Sequence, residues 1–389
     1  MKPTSILNRN FILICIINCV TYFSQFMTNT LLPRYANSLG AAATLVGFLS
    51  SAFSITALIT KPFSSPAVDS LDKKKIMLSG LILIVIANAG YAFAKTYPVL
   101  LAFRFLHGCA VGLTVITCLT MASAALPEEK LTSGIAYFSM LQAVASAVGP
   151  SLGLKLADSF GYPAAFTVSS VFGAVAALLL FGVNLNESDV KPPFRVNFKT
   201  ILAVEAIPAA SIMLCLAAAY ITVSSFLVIY AESIGIERIG LFFTINAIAL
   251  MTSRPTVGKL AEKFGTAKVL PMAIACYALS LLLISTAKSL LVFLIAAVLL
   301  AFGYGACQPL IQALCIKSVP PSRRGAASAT SYYGTDFGYI LSPLISGVLI
   351  DRFGYAVMFR CMIGFLLLAI VIFLFARKKI QAIEGNTVN

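Results

Sequence analysis

The sequence has no tryptophan, a single histidine (His107) and few charges: only 11% of its 389 residues are Asp, Glu, Lys or Arg. Soluble domains carry about 25% charged residues. A chain this poor in charge, 59% hydrophobic and with a mean hydropathy of +0.95, cannot present a water-facing surface. No CxxC pair and no Cys/His cluster occurs, which argues against structural zinc, any other metal site and a disulfide framework. The nine cysteines (15, 19, 109, 118, 215, 276, 307, 315 and 361) all lie in apolar stretches and are expected to be small, free, buried thiols. There is no GxxxxGK[ST] loop to hold a nucleotide, and no serine-hydrolase or HExxH pattern. Neither ATP-driven work by this chain nor an enzyme activity therefore has a motif behind it. The ten-residue alternating segments of an outer-membrane barrel are missing too.

What is there is a succession of apolar runs near 11–32, 44–66, 76–95, 98–125, 132–156, 163–184, 201–230, 238–258, 269–287, 290–316, 326–350 and 355–376. Runs of roughly 20 apolar residues match the hydrocarbon thickness of a bilayer, so twelve transmembrane helices are expected. The first run follows Lys2 and Arg9, exceeds a signal-peptide core and lacks a clear cleavage site, which reads as a retained span. "NLNESDVKPPFRVNFK" is the longest polar break. The expected organisation is a six-helix half at 1–184, a cytoplasmic linker at 185–200 and a second six-helix half at 201–389.

Bases outnumber acids, 28 to 14. In a soluble protein that excess would suggest nucleic acid; between membrane spans it reports topology, because Lys and Arg collect on the cytoplasmic side. With the N-terminus inside, 20 of them fall on that side and 7 on the other. Both termini are therefore expected in the cytoplasm, in a multi-pass protein of the cytoplasmic membrane.

The halves repeat each other. Gly47, Lys61-Pro62, Asp69, Gly112, Pro127 and Pro150 reappear 193 positions later as Gly240, Arg254-Pro255, Glu262, Gly305, Pro320 and Pro343. "DSFGYPAAF" at 158–166 returns as "DRFGYAVMF" at 351–359, and "RYANSLG" at 34–40 as "IYAESIG" at 229–235. Parallel repeats of this size imply a solute cavity near the membrane midplane and alternating access by rocking.

Four stretches carry motifs. "KPFSSPAVDSLDKKKIM" (61–77) and "GKLAEKFGTAKVL" (258–270) are polar turns at equivalent places in the two halves, each with an acid, Asp69 or Glu262, among bases. "RFLHG" puts Arg104 and His107 one helical turn apart in the fourth span. "ASAVGPSLGL" holds Gly149, Pro150 and Gly153 in the fifth. An Arg inside a span is costly enough to need a cavity or a polar partner, unless it snorkels to the outer interface.

These stretches resemble motifs A, B and C of the major facilitator superfamily, and the whole chain looks most like its twelve-helix drug/proton antiporter branch. The match is loose in places. Ser65 and Asp72 stand where motif A has glycine, His107 stands where motif B has Gln, and Ala145 and Leu154 replace the outer glycines of motif C. The resemblance implies a conformational latch built from Asp69, Lys73, Lys74, Glu262 and Arg254. It also implies an antiporter packing motif at Gly149, Pro150 and Gly153. From the family's cavity helices it implies solute contacts at Asn18, Tyr22, Gln25, Asn29, His107, Tyr220, Ser224, Tyr304 and Gln308.

Intramembrane acids are candidates for proton coupling by default. Asp336, in "SYYGTDFGYILSP", lies ten residues into its span and so near mid-bilayer. Glu205 sits a few residues into the seventh span, where a solvated interfacial acid is an equal reading. Arg104 and His107 complete the coupling set. The expected activity is proton-coupled export of small amphipathic molecules by a monomer in the lipid bilayer, with the proton gradient as energy source, no cofactor and no nucleic-acid partner. Two alternatives stay open: a metabolite uptake or exchange carrier of the same fold, and a non-transporting membrane receptor.

Overall fold

The computed structural model describes residues 8–127, 131–185, 202–319 and 324–385, without some side chains inside helices, those of Asp69 and Glu262 among them. Among the described residues the chain forms twelve long helices. They are α1 (Arg9–Ser38), α2 (Ala43–Ser70), α3 (Lys73–Phe93), α4 (Tyr97–Ala124), α5 (Leu131–Phe160), α6 (Tyr162–Phe181), α7 (Ile207–Ser233), α8 (Gly240–Phe264), α9 (Thr266–Thr286), α10 (Leu290–Lys317), α11 (Arg324–Phe353) and α12 (Tyr355–Gly385). Nine of these are long and apolar enough to cross a membrane. Their outer faces suit hydrocarbon: Phe375 is 88% exposed and Leu178 70%, which in water would be an aggregation surface.

Backbone packing divides the chain into two units, residues 1–39 with 52–196 and residues 40–51 with 197–389. In the first, α1 packs on α5 and α6, and α3 on α4 and α6, around a core that includes Phe11, Ile14, Ile17, Leu81, Ile84 and Leu180. In the second, α7 packs on α11 and α12, and α9 on α10 and α12. The second unit also takes in the first turns of α2. There a Cβ on Gly47 would strike the Pro343 carbonyl, and one on Gly347 would strike Ala43 and Thr44.

The repeat read from the sequence is a structural repeat. Gly161 and Gly354 turn their chains with φ of +84° and +79°, and Gly40 and Gly235 with +83° and +76°. This left-handed region disfavours any side chain, so glycine stays in both copies. Where α4 presses on α2, a Cβ on Gly112 would meet Ala57 and Thr60; where α10 presses on α8, one on Gly305 would meet Leu250. Ala57 and Leu250 are themselves 193 positions apart.

The two polar turns differ in a way their sequences explain. In the second copy Gly265, at φ +83°, joins α8 directly to α9. Asp72 takes that place in the first copy and caps α3 instead, its carboxylate accepting from the backbone N–H groups of Lys74 (2.8 Å) and Lys75 (3.1 Å). That is the ordinary work of an N-cap aspartate.

Glu205 stands in a 3₁₀ turn, Val204–Ala206, that runs into α7 at Ile207, in the first turn of the membrane-length stretch Val204–Ser233 and so at its end, as expected. Pro208 accounts for this: its fixed φ suits the first helical turn and its missing N–H costs nothing there. One expectation, the burial of every cysteine, needs correction. All nine cysteines are free, but Cys361 on α12 is exposed, and Cys19, Cys109 and Cys276 are half-buried rather than buried. The expected linker lies, from residue 186, outside the described residues.

Candidate functional site

In the first unit the motif "RFLHG" builds an enclosed polar cluster. Arg104 is 4% exposed and His107 0%, so Arg104 does not snorkel. Its Nη1 donates to Asn29 Oδ1 of α1 at 3.1 Å, and its guanidinium lies 4.3 Å from the centre of the Phe53 ring of α2. A desolvated guanidinium gains from an aromatic face. His107 turns one ring edge to Phe53, with centroids 5.4 Å apart, and its Nδ1 is 3.3 Å from the Tyr91 hydroxyl of α3. His107 Nε2 is buried without a hydrogen-bond partner among the described residues. Gly108 makes the cluster possible, since a Cβ there would strike Thr56 Oγ1 and the Phe53 carbonyl.

The reading of the sequence missed Tyr91 and Phe53, which sit in apolar runs as any core aromatic would. It also missed a buried network beside them. Thr28 Oγ1 donates to Asn88 Oδ1 at 2.6 Å, and Asn88 Nδ2 donates to Ser24 Oγ at 3.3 Å. Asn88 was the available signal, as an amide in the middle of an apolar run needs partners. Asn18, a cavity candidate, is 3% exposed and donates to the Phe138 carbonyl of α5 at 3.4 Å. Tyr22 lies against Phe26, and Tyr22 and Gln25 are half-buried.

The second unit gathers tyrosines. Tyr220 of α7 stacks on Tyr304 of α10, with ring centroids 4.1 Å apart and planes 14° off parallel. The Tyr304 and Tyr339 hydroxyls are 3.3 Å apart, and Tyr277 of α9 closes the back of the group at 6.0 Å from Tyr304. Tyr304 lies in a π-helical turn, Ala301–Gly305, inside α10, a distortion frequent at functional sites. A Cβ on Gly303 would collide with the Tyr277 backbone, so that turn seats α10 directly on α9. Asp336 of α11 is half-buried and acts electrostatically on Tyr333 and Tyr339. Ser224 and Gln308 are half-buried as well.

The remaining candidates are dispersed. Among the described residues, Lys74 Nζ donates to the carbonyls of Phe181 (3.1 Å) and Val183 (2.9 Å) at the end of α6, where a cation suits the helix dipole. Arg254 lies within electrostatic reach of Tyr220 and Tyr304. The side chains of Asp69 and Glu262 lie outside the described residues. Gly149 and Gly153 of α5 bring that helix against Phe26 and Met27 of α1, a small-residue contact inside one unit. One oxygen of Glu205 is buried.

Known proteins agree with this architecture. The chain is 22% identical over 391 residues to the staphylopine export protein of Staphylococcus aureus, covering 95% of this chain and 96% of that one. It is 26% identical to a homolog of the multi-drug resistance efflux pump PmrA from Lactococcus lactis, covering 87% and 88%. A solved bacterial homolog of the human lysosomal transporter Spinster has the same fold, with a TM-score of 0.77, 14% identity and coverage of 98% and 99%. The family model described as Major Facilitator Superfamily matches residues 14–238 and 209–386. With that match spanning both repeated units and twelve long helices among the described residues, the chain is a multi-pass membrane transporter belonging to the Major Facilitator Superfamily.

Proposed function

We propose that this transporter is a proton-coupled exporter of small amphipathic organic molecules across the cytoplasmic membrane. Export is carried over from relatives whose names are those of an export protein and an efflux pump. The observation that supports coupling to protons is Asp336. It stands twelve residues into α11, about 18 Å along its axis, half-buried and next to the tyrosine group. A proton carrier must exchange with water in at least one state, which suits a half-buried carboxylate better than His107, whose side chain is fully enclosed. His107 and Arg104 then serve as positioning residues that fix α4 against α2 and α3. Protonation of Asp336 shifts the balance between conformations because its charge is tolerated differently in each.

The test is efflux from proteoliposomes under an imposed pH gradient, using a panel of amphipathic dyes. Efflux should follow the gradient and stop when a protonophore collapses it. Equal efflux with and without the gradient would favour facilitated exchange instead.

A further inference from the structure

Arg254 is set apart from the other cations of the second unit. It is the fifteenth residue of α8 (Gly240–Phe264), roughly 21 Å along the axis from the outer end. Helical side chains lean toward the N-terminus of their helix, so this one points back toward the membrane midplane, away from the polar turn at 258–265. It is exposed, and among the described residues it makes no hydrogen bond and no ion pair. Its electrostatic neighbours are the hydroxyls of Tyr220 and Tyr304, which belong to the stacked pair, with the Tyr339 hydroxyl 3.3 Å from that of Tyr304. A guanidinium held inside a span without a carboxylate is costly. An outside ligand that completes it recovers that cost.

We infer that Arg254, at the same depth of the second unit as the stacked Tyr220 and Tyr304, is a recognition site for a carboxylate on the transported solute, so that the substrate class is amphipathic organic acids and zwitterions. The planar guanidinium offers two parallel N–H donors to a carboxylate. The phenols add hydroxyl donors, and the stacked rings give an apolar or aromatic body a flat surface. A solute bearing only positive charge meets repulsion at the same place. Arg254 thereby leaves the latch suggested by its neighbourhood in the sequence and joins the solute site. This inference rests on the reading of the chain as an exporter of small amphipathic solutes and narrows what it exports.

The experiment compares dansylglycine with its uncharged carboxamide, binding to the purified full chain in detergent micelles and read by dansyl fluorescence. The wild-type chain should bind the carboxylate at least about tenfold more tightly than the carboxamide. Arg254→Gln should abolish that preference, Arg254→Lys should keep part of it, and Arg352→Gln, at the end of α11, should leave it unchanged. Equal affinity of the wild-type chain for the two probes overturns the inference and needs no variant; so does a preference that survives Arg254→Gln. Gradient-driven efflux of dansylglycine itself from proteoliposomes, measured in parallel, separates this from the export reading. Efflux without carboxylate preference sinks only the inference, whereas Arg254-dependent binding without any efflux sinks only export.

Discussion

Asp351, near the end of α11, caps the start of α2: its oxygens accept from the backbone N–H groups of Ala43 (3.0 Å) and Thr44 (2.9 Å) and from the Thr44 hydroxyl. Partial burial pushes its carboxyl up, but the bonds from the Thr44 side chain and the two backbone N–H groups outweigh that and hold it below its ordinary value. A group depressed in the folded state stabilises the fold fully above its unfolded pKa, and the contribution disappears as pH falls through the folded one. Asp351→Ala should therefore cost about 1 kcal/mol at neutral pH and remove part of the acid sensitivity of the melting temperature. A variant that melts like wild type from neutral pH to pH 3 would show that the cap contributes nothing.

Gly108 is the contact point of α4 with Phe53 and Thr56. Gly108→Val should push the helices apart and destabilise the first unit by about 1–3 kcal/mol, visible as a lower melting temperature in detergent. The damage should reach Arg104, whose guanidinium depends on the Phe53 ring for its aromatic contact.

His107→Gln restores the residue usual in motif B. If His107 only holds Tyr91 and fills its place, pH-driven efflux should survive at close to the wild-type rate. Loss of gradient dependence in this variant, with folding intact, would make His107 the proton carrier.

Lys74 binds the end of α6 through the Phe181 and Val183 carbonyls. Lys74→Ala should lower stability by about 0.3–1 kcal/mol without changing the pH profile of transport. Asp69→Asn and Glu262→Gln, compared in the same assay, report on the proposed latch. A larger transport defect in one than in the other identifies the copy that matters.

The number and approximate limits of the helices were legible because each span is a run of apolar residues and each break carries bases, prolines or glycines. The repeat was legible because glycines needed for left-handed turns, such as Gly161 and Gly354, cannot drift. Other features depend on tertiary neighbours. The π turn at Ala301–Gly305 follows from seating α10 on Tyr277, and nothing in "AFGYG" announces it. The pairing of Asp351 with Thr44 joins residues 307 apart. Tyr304 and Tyr220 were found by their place on cavity helices, whereas Tyr339 and Tyr277 lie on helices outside that set.

The most direct test of the account is Asp336→Asn in proteoliposomes, with gradient-driven efflux and gradient-free counterflow of one dye measured on the same preparation. The account predicts that the variant loses acceleration by the pH gradient while counterflow persists, since solute binding and the conformational cycle do not need the proton. Gradient-driven efflux at the wild-type rate in Asp336→Asn would contradict it.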